Sequence, residues 1–242
     1  MNSRERVIAA IERKDLDRVP IDFGGTAVST ILAEAYDKLL KTLDIARDLR
    51  IADSSQLFVY VDDEIADLYN TDVVPLYPLR DFMGVRRDRG WKDWHTPYDK
   101  TPVKIYGDFH PQKMDDGSYI WETGGYIYKL PSGGFYFDAI KAPLEGAETV
   151  RDIERYEIPV MDDEEEEWYG RMAEKLRRET DKFIVADIVG GWTDIAGPMM
   201  GNANFYMAMV ANKPLVHALM GKLTDVWKRR LDILTRVAGA NI

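Results

Sequence analysis

The chain has 242 residues, 45% hydrophobic and 11% aromatic, with no cysteine and a formal net charge of -10. That charge argues against a nucleic-acid or anionic-membrane partner, since both need a basic face that releases counterions. The lack of cysteine excludes disulfides, thiol nucleophiles and Cys-ligated zinc within these residues. Met1 to Asp15 is charged and amphipathic without an apolar h-region, and no apolar run approaches the ~20 residues that span a bilayer, so the expectation is a cytoplasmic globular protein.

Taken in order, Ser3 precedes a helical pattern with Val7, Ile8 and Ile11 on one face and charged residues on the other. Val19 to Phe23 reads as a short strand, with Asp22 near its end and Gly24 and Gly25 closing it. Ile31, Leu32, Ala35, Tyr36, Leu39, Leu40 and Leu43 recur at helical spacing, which predicts a helix over 30–43. Strand then helix is a βα unit. Asp44 to Ser55 is polar and irregular, Val61 to Tyr69 predicts a short helix led by acids, and Thr71 to Tyr77 predicts a second strand bounded by prolines.

From Arg80 to Pro143 the period changes to two and the composition turns aromatic. SYIWE and GYIYKL alternate around Gly124-Gly125, a hairpin signal, and Asp115-Asp116-Gly117 is another. We read this segment as a β-rich insertion over the mouth of the main fold, its aromatics serving cross-strand packing or a flat ligand. Thr149 to Arg155 predicts a short helix. The six acids Asp162 to Glu167 lead a helix over 168–178 whose basic residues lie at its far end, so the run reads as a solvated helix start matched to the dipole and not as a metal site.

Lys182 to Gly201 is the focus of the chain. Phe183 to Val189 reads as a buried parallel strand interrupted by Asp187 and ended by Gly190 and Gly191. A lone carboxylate in such a strand needs a partner or an opening to water, so Asp187 either ties down a neighbouring loop or serves a site. Helices follow over 204–210 and 214–238, with Pro214 in the first turn and Gly239 as a C-terminal cap. Ala240 to Ile242 reads as a strand stub. Strands alternating with helices predict an α/β fold, and three strands with a stub of a fourth predict a partial (β/α)8 TIM barrel, the first half, in a single domain that continues past Ile242.

Several stretches resemble the uroporphyrinogen decarboxylase superfamily: the opening SRERVIAAIERKDLDRVPIDFGG, TDVVPL, GGFYFDAIKAPL with ETVRDIERYEIP, and the long run from VGGWTDIAGPMMG to Ile242. The resemblance implies a (β/α)8 barrel enzyme, either a corrinoid-dependent methyltransferase or a porphyrinogen decarboxylase. The true decarboxylases carry an arginine pair after the first strand, where this chain has IDFGGTAVST. They also carry a tyrosine in the turn that aligns with Gly197. Both departures favour the methyltransferase branch. That branch implies zinc and a corrinoid as cofactors. His95, His110 and His217 show no ligand spacing, so the zinc ligands are expected beyond Ile242; a decarboxylase would need no cofactor.

The barrel rule places function on loops that follow strands. It selects Asp81 and Asp187 as catalytic candidates and Asp22, Gly24, Trp192 and Thr193 as substrate-binding candidates, each with a structural alternative as a cap, turn or packing residue. Asp81 could match the family's aspartate that contacts pyrrole nitrogens. The expected partners are a small-molecule or corrinoid-protein substrate, with a homodimer possible. A third reading is non-catalytic, with the aromatic insertion as a binding module.

Overall fold

The computed structural model describes residues 1–186 and 192–239. Among them are eight helices and ten strands in four small sheets, none closed into a barrel. The architecture is mixed α/β. Asp187, Gly190, Gly191 and the stub at 240–242 lie outside the described residues.

Helix α1 (Ser3–Ile11) starts one residue earlier than its sequence suggests, because Asn2 and Glu5 form a reciprocal capping box. Its expected apolar face is also reversed. Ile8 and Ile11 are 40% and 67% exposed, while Arg6 and Ala9 turn inward. The cause is electrostatic: Arg6 Nη1 donates to the fully buried Asp72 at 2.6 Å, and its Nε and Nη2 donate to Asp17.

Val19 to Phe23 does not become a strand. Pro20 has no N–H to offer a ladder. Asp22 Oδ1 accepts from Gly25 N at 2.8 Å and Ser29 Oγ at 2.9 Å, folding the chain into a turn. The segment is tied to the start of the next strand at Ile21, whose N–H donates to Asp72 Oδ2 and whose carbonyl accepts from Asp72 N.

Helix α2 (Ala33–Thr42) lies inside the expected range, and the stretch read as irregular contains β1 (Ile51–Asp53), antiparallel to β2 (Phe58–Val59). Helix α3 (Asp63–Leu68) leads into β3 (Val73–Leu76). Strands β4 (Trp91–His95) and β5 (Pro102–Tyr106) pair antiparallel. Strands β6 (Gln112–Lys113), β7 (Tyr119–Thr123), β8 (Tyr126–Leu130) and β9 (Asp138–Lys141) form a four-stranded antiparallel sheet in chain order. The β7–β8 turn needs two left-handed residues in succession, and Gly124 (φ 55°) and Gly125 (φ 83°) supply them.

This β-rich segment shares its core with the first third of the chain. Tyr36, Ile51, Leu57 and Ile65 are fully buried in one cluster with Ile105, Tyr106, Phe109 and Leu130. Burying each such side chain stabilises the fold by about 1.5–3 kcal/mol, so the segment and the N-terminal elements hold each other in place.

Helix α4 (Val150–Arg155) carries a Thr149–Asp152 capping box, and α5 (Asp163–Glu179) is capped by Asp162, whose side chain accepts from Glu165 N. Strand β10 (Phe183–Ala186) then pairs parallel with β3, Phe183 opposite Val73 through Ala186 opposite Leu76. Leu76, Ile184, Tyr169, Ala173 and Leu234 close the core between this pair and the helices behind it. Trp192 to Met200, expected as a turn, is helix α6 (Trp192–Met200), followed by α7 (Asn202–Ala211) and α8 (Lys213–Ala238). Leu215, Leu219 and Leu223 of α8 pack on Phe205, Met199 and Ile153. No helix among the described residues is long and apolar enough to cross a membrane.

Candidate functional site

Past the C-terminal end of β3 the chain turns through Tyr77 to Val85 and opens onto a cleft of about 490 Å³. One wall comes from that turn and the hairpin, with Phe82, Met83, Tyr126 and Tyr128. The facing wall comes from α6 and α8, with Met199, Leu223, Trp227 and Arg230. Tyr156 and Met161 close a third side beside Tyr169 of α5. The cleft therefore joins the antiparallel sheet to the helical layer, and six of its lining residues are aromatic.

Ring stacking and one hydrogen bond tie the hairpin wall together. The Tyr126 and Tyr128 rings stack at 5.3 Å with 18° between planes, and Tyr156 Oη donates to Gly124 O at the turn. Burial pushes both phenols well above their usual range, so they stay neutral at any physiological pH.

Three carboxylates line the cleft, and each already has donors. Asp81, 6% exposed, accepts at Oδ1 from Met83 N and Val85 N at 3.0 Å, and at Oδ2 from Ser54 N and Ser54 Oγ. Burial raises its pKa to about 6, with the nearby charge of Asp53 adding to the effect. Glu165 accepts from Leu79 N at 2.7 Å and from Arg80 Nη1 at 2.9 Å. Burial likewise pushes its carboxyl up. Asp162 accepts from Glu165 N and from Arg80.

Glu165 corrects the reading of the acidic run as wholly solvated. Glu165, Tyr169 and Ala173 recur every four residues on the inward face of α5, a spacing visible in the sequence. Two donors remain open: Trp227 Nε1 and Arg230 Nε are buried without a hydrogen-bond partner. Arg230 Nη2 donates to Pro159 O at 2.7 Å, and the guanidinium lies 5.1 Å above the Trp227 ring. Burial lowers the Arg230 pKa.

Of the residues singled out from the sequence, the structure brings Asp81 into this cleft. Asp22 is engaged in its own turn. Gly24 lines a second groove of about 520 Å³ with Tyr60, Tyr77 and Arg87; its φ of 89° and the 2.6 Å that would separate an added Cβ from Val61 Cγ2 explain the glycine. Trp192 is 47% exposed and donates from Nε1 to Thr224 Oγ1 at 2.9 Å, and Thr193 is exposed beside it on α6; neither lines either hollow. Asp187 lies outside the described residues. Among the described residues no three His, Cys, Asp or Glu side chains come together as a metal site.

Fold and cleft together define a mixed α/β protein with an aromatic, mostly apolar cleft beside a parallel strand pair. No family model, curated protein or solved structure matches the chain.

Proposed function

We propose that the chain is the N-terminal portion of a uroporphyrinogen decarboxylase-superfamily enzyme, that β3 and β10 are neighbouring staves of a (β/α)8 barrel, and that the aromatic cleft holds the small-molecule substrate of a corrinoid-dependent methyl transfer. The observation that carries this reading is the position of the cleft beyond the C-terminal end of a parallel strand, where barrel enzymes place their chemistry.

In this account the chain binds and orients. Tyr126, Tyr128 and Phe82 offer aromatic faces, Met83 and Met199 fill the remaining space, and the apolar lining excludes water from the bound molecule. Zinc is not fitted to the described residues, which bring no ligand set together, and no step is assigned to a metal. The corrinoid enters as a substrate carried by a partner protein.

Decarboxylation of a porphyrinogen is the competing chemistry. Several substrate carboxylates would need cations, since leaving buried charges unpaired costs several kcal/mol each. The cleft offers Arg80 and Arg230 against Asp81, Asp162 and Glu165, and Arg80 is already bound to Asp162, Glu164 and Glu165. That balance favours methyl transfer. Incubation of the full-length enzyme with methylcobalamin and a thiol, and separately with uroporphyrinogen, tests the choice: a change in the cobalt spectrum without carboxylate loss is expected. Loss of substrate carboxylates with an unchanged cobalt spectrum would reverse the assignment.

A further inference from the structure

We propose that the α8 end of the cleft is an anion-recognition site, formed by Trp227 and Arg230, which selects a planar aromatic ligand carrying a carboxylate. The inference rests on the cleft being the ligand site, and it goes beyond that reading by assigning the chemical class of ligand and the two side chains that select it.

Among the described residues, buried side-chain nitrogen or oxygen atoms without a hydrogen bond occur in six residues: Glu34, Thr71, Arg87, Asp108, Trp227 and Arg230. Trp227 and Arg230 are the two of these that line the aromatic cleft. They stand three apart on α8, so they share one helix face, and their heads are adjacent, with the guanidinium 5.1 Å above the indole. Both open atoms are donors, so the ligand they call for is an acceptor.

Charge sharpens the choice. Among the described residues no salt bridge involves Arg230; its one hydrogen bond goes to the neutral carbonyl of Pro159. Arg230 is half-buried and the charge of Glu165 reaches it without forming an ion pair, so an anion supplied by a ligand at hydrogen-bond distance completes its pairing. The carboxylates of the cleft make no ion pair with Arg230 among the described residues and are hydrogen-bonded elsewhere. Asp81 is held by Ser54, Met83 and Val85, and Glu165 and Asp162 are held by backbone N–H groups and Arg80. The rest of the lining specifies the ligand body, because stacked tyrosines and methionines favour a flat, polarisable ring over an aliphatic chain.

Benzoate, benzyl alcohol and acetate serve as probes in an equilibrium titration followed by calorimetry. Benzoate binds saturably, benzyl alcohol binds at least about tenfold more weakly for want of the charge-assisted contact, and acetate does not bind measurably. The variant Trp227→Phe keeps an aromatic ring and loses Nε1. It weakens benzoate by about tenfold and benzyl alcohol by a smaller factor, because the neutral hydroxyl accepts a weaker hydrogen bond than the carboxylate. Arg230→Met abolishes the preference for benzoate. Circular dichroism confirms that each variant is folded, and the wild-type comparison of benzoate with benzyl alcohol stands even if a variant fails to fold.

Equal affinity for benzoate and benzyl alcohol, no saturable benzoate binding, or a folded Trp227→Phe protein with wild-type benzoate affinity would each overturn the proposal. The readout involves no methyl transfer, so the two readings fail separately. Cobalt chemistry without benzoate binding would remove the anion site alone, whereas benzoate selectivity without cobalt chemistry would remove the methyltransferase alone.

Discussion

Replacing Asp81 by alanine separates a structural carboxylate from a reacting one. Four donors converge on this side chain: Met83 N, Val85 N, Ser54 N and Ser54 Oγ. Together they close the turn that forms one wall of the cleft and tie it to the chain after β1. A buried donor left without an acceptor costs about 1–3 kcal/mol. Four such losses set an upper bound, which water entering from the cleft reduces, and we expect Asp81→Ala to destabilise the protein by about 3–5 kcal/mol. In a chain of this size that lowers the midpoint of thermal unfolding by about 6–20 °C.

The pH profile gives an independent check on the same residue. A folded-state pKa raised from 3.8 to about 6 means that Asp81 contributes stability which is fully present below 3.8 and is lost as pH rises through about 6. The wild type should therefore lose stability across that window through this group, and Asp81→Asn should not. Urea unfolding of the three proteins between pH 4 and pH 7 measures both effects. Asp81→Ala within 1 kcal/mol of wild type would show that the four donors do not depend on the carboxylate, and would return Asp81 to the role of a reacting group.

Three further outcomes follow from the same contacts. Gly24→Ala should cost about 1–3 kcal/mol by urea unfolding, because it forces a Cβ against Val61 at a left-handed φ; a neutral result would mean that the turn can rearrange. Leu219→Ala, fully buried between α6, α7 and α8, should cost about 2–5 kcal/mol in the same assay, and a smaller loss would show that the helical layer collapses into the hole. Asp72 has the opposite sign to Asp81: burial pushes its carboxyl up, but hydrogen bonds from Arg18, Ile21 N, Ser3 and Arg6 outweigh that and hold it at about 2. Its contribution is present above 3.8 and lost as pH falls through about 2, so Asp72→Asn should flatten the acid limb of the stability profile.

What the sequence made legible was periodicity over long spans. The spacing of α2 and the alternation of β7 and β8 around Gly124-Gly125 carry enough repeats to be read directly, and α8 buries Leu215, Leu219, Leu223, Val226 and Leu234 at helical spacing but leaves Leu231 54% exposed. Strands of two and three residues such as β2 and β1 carry no period, and β1 is buried at every position, so nothing set it apart from a loop. Val19 to Phe23 has strand composition, yet Pro20 and the turn-forming Asp22 decide its conformation. Arg6 misled for a related reason. A buried arginine is legible only with its partner Asp72, sixty-six positions away.

The cleft shows the same limit. Asp81 is legible because it follows a strand, while neither Trp227 nor Arg230 is singled out by the sequence, and their place on the cleft depends on how α8 packs. The spacing of Glu165, Tyr169 and Ala173 was available and would have placed an acid on the buried face of α5.

The central claim is that small aromatic molecules bind between the hairpin and α8, and methionine methyl NMR tests it most directly. Met83, Met161 and Met199 line the cleft, Met172 lines the second groove, and Met207 and Met209 are exposed on α7. Titration with benzoate, and separately with benzyl alcohol, should move the methyl resonances of Met83, Met161 and Met199 and leave those of Met172, Met207 and Met209 in place. Shifts confined to Met172 or to α7, or no shifts at saturating ligand, would contradict the account.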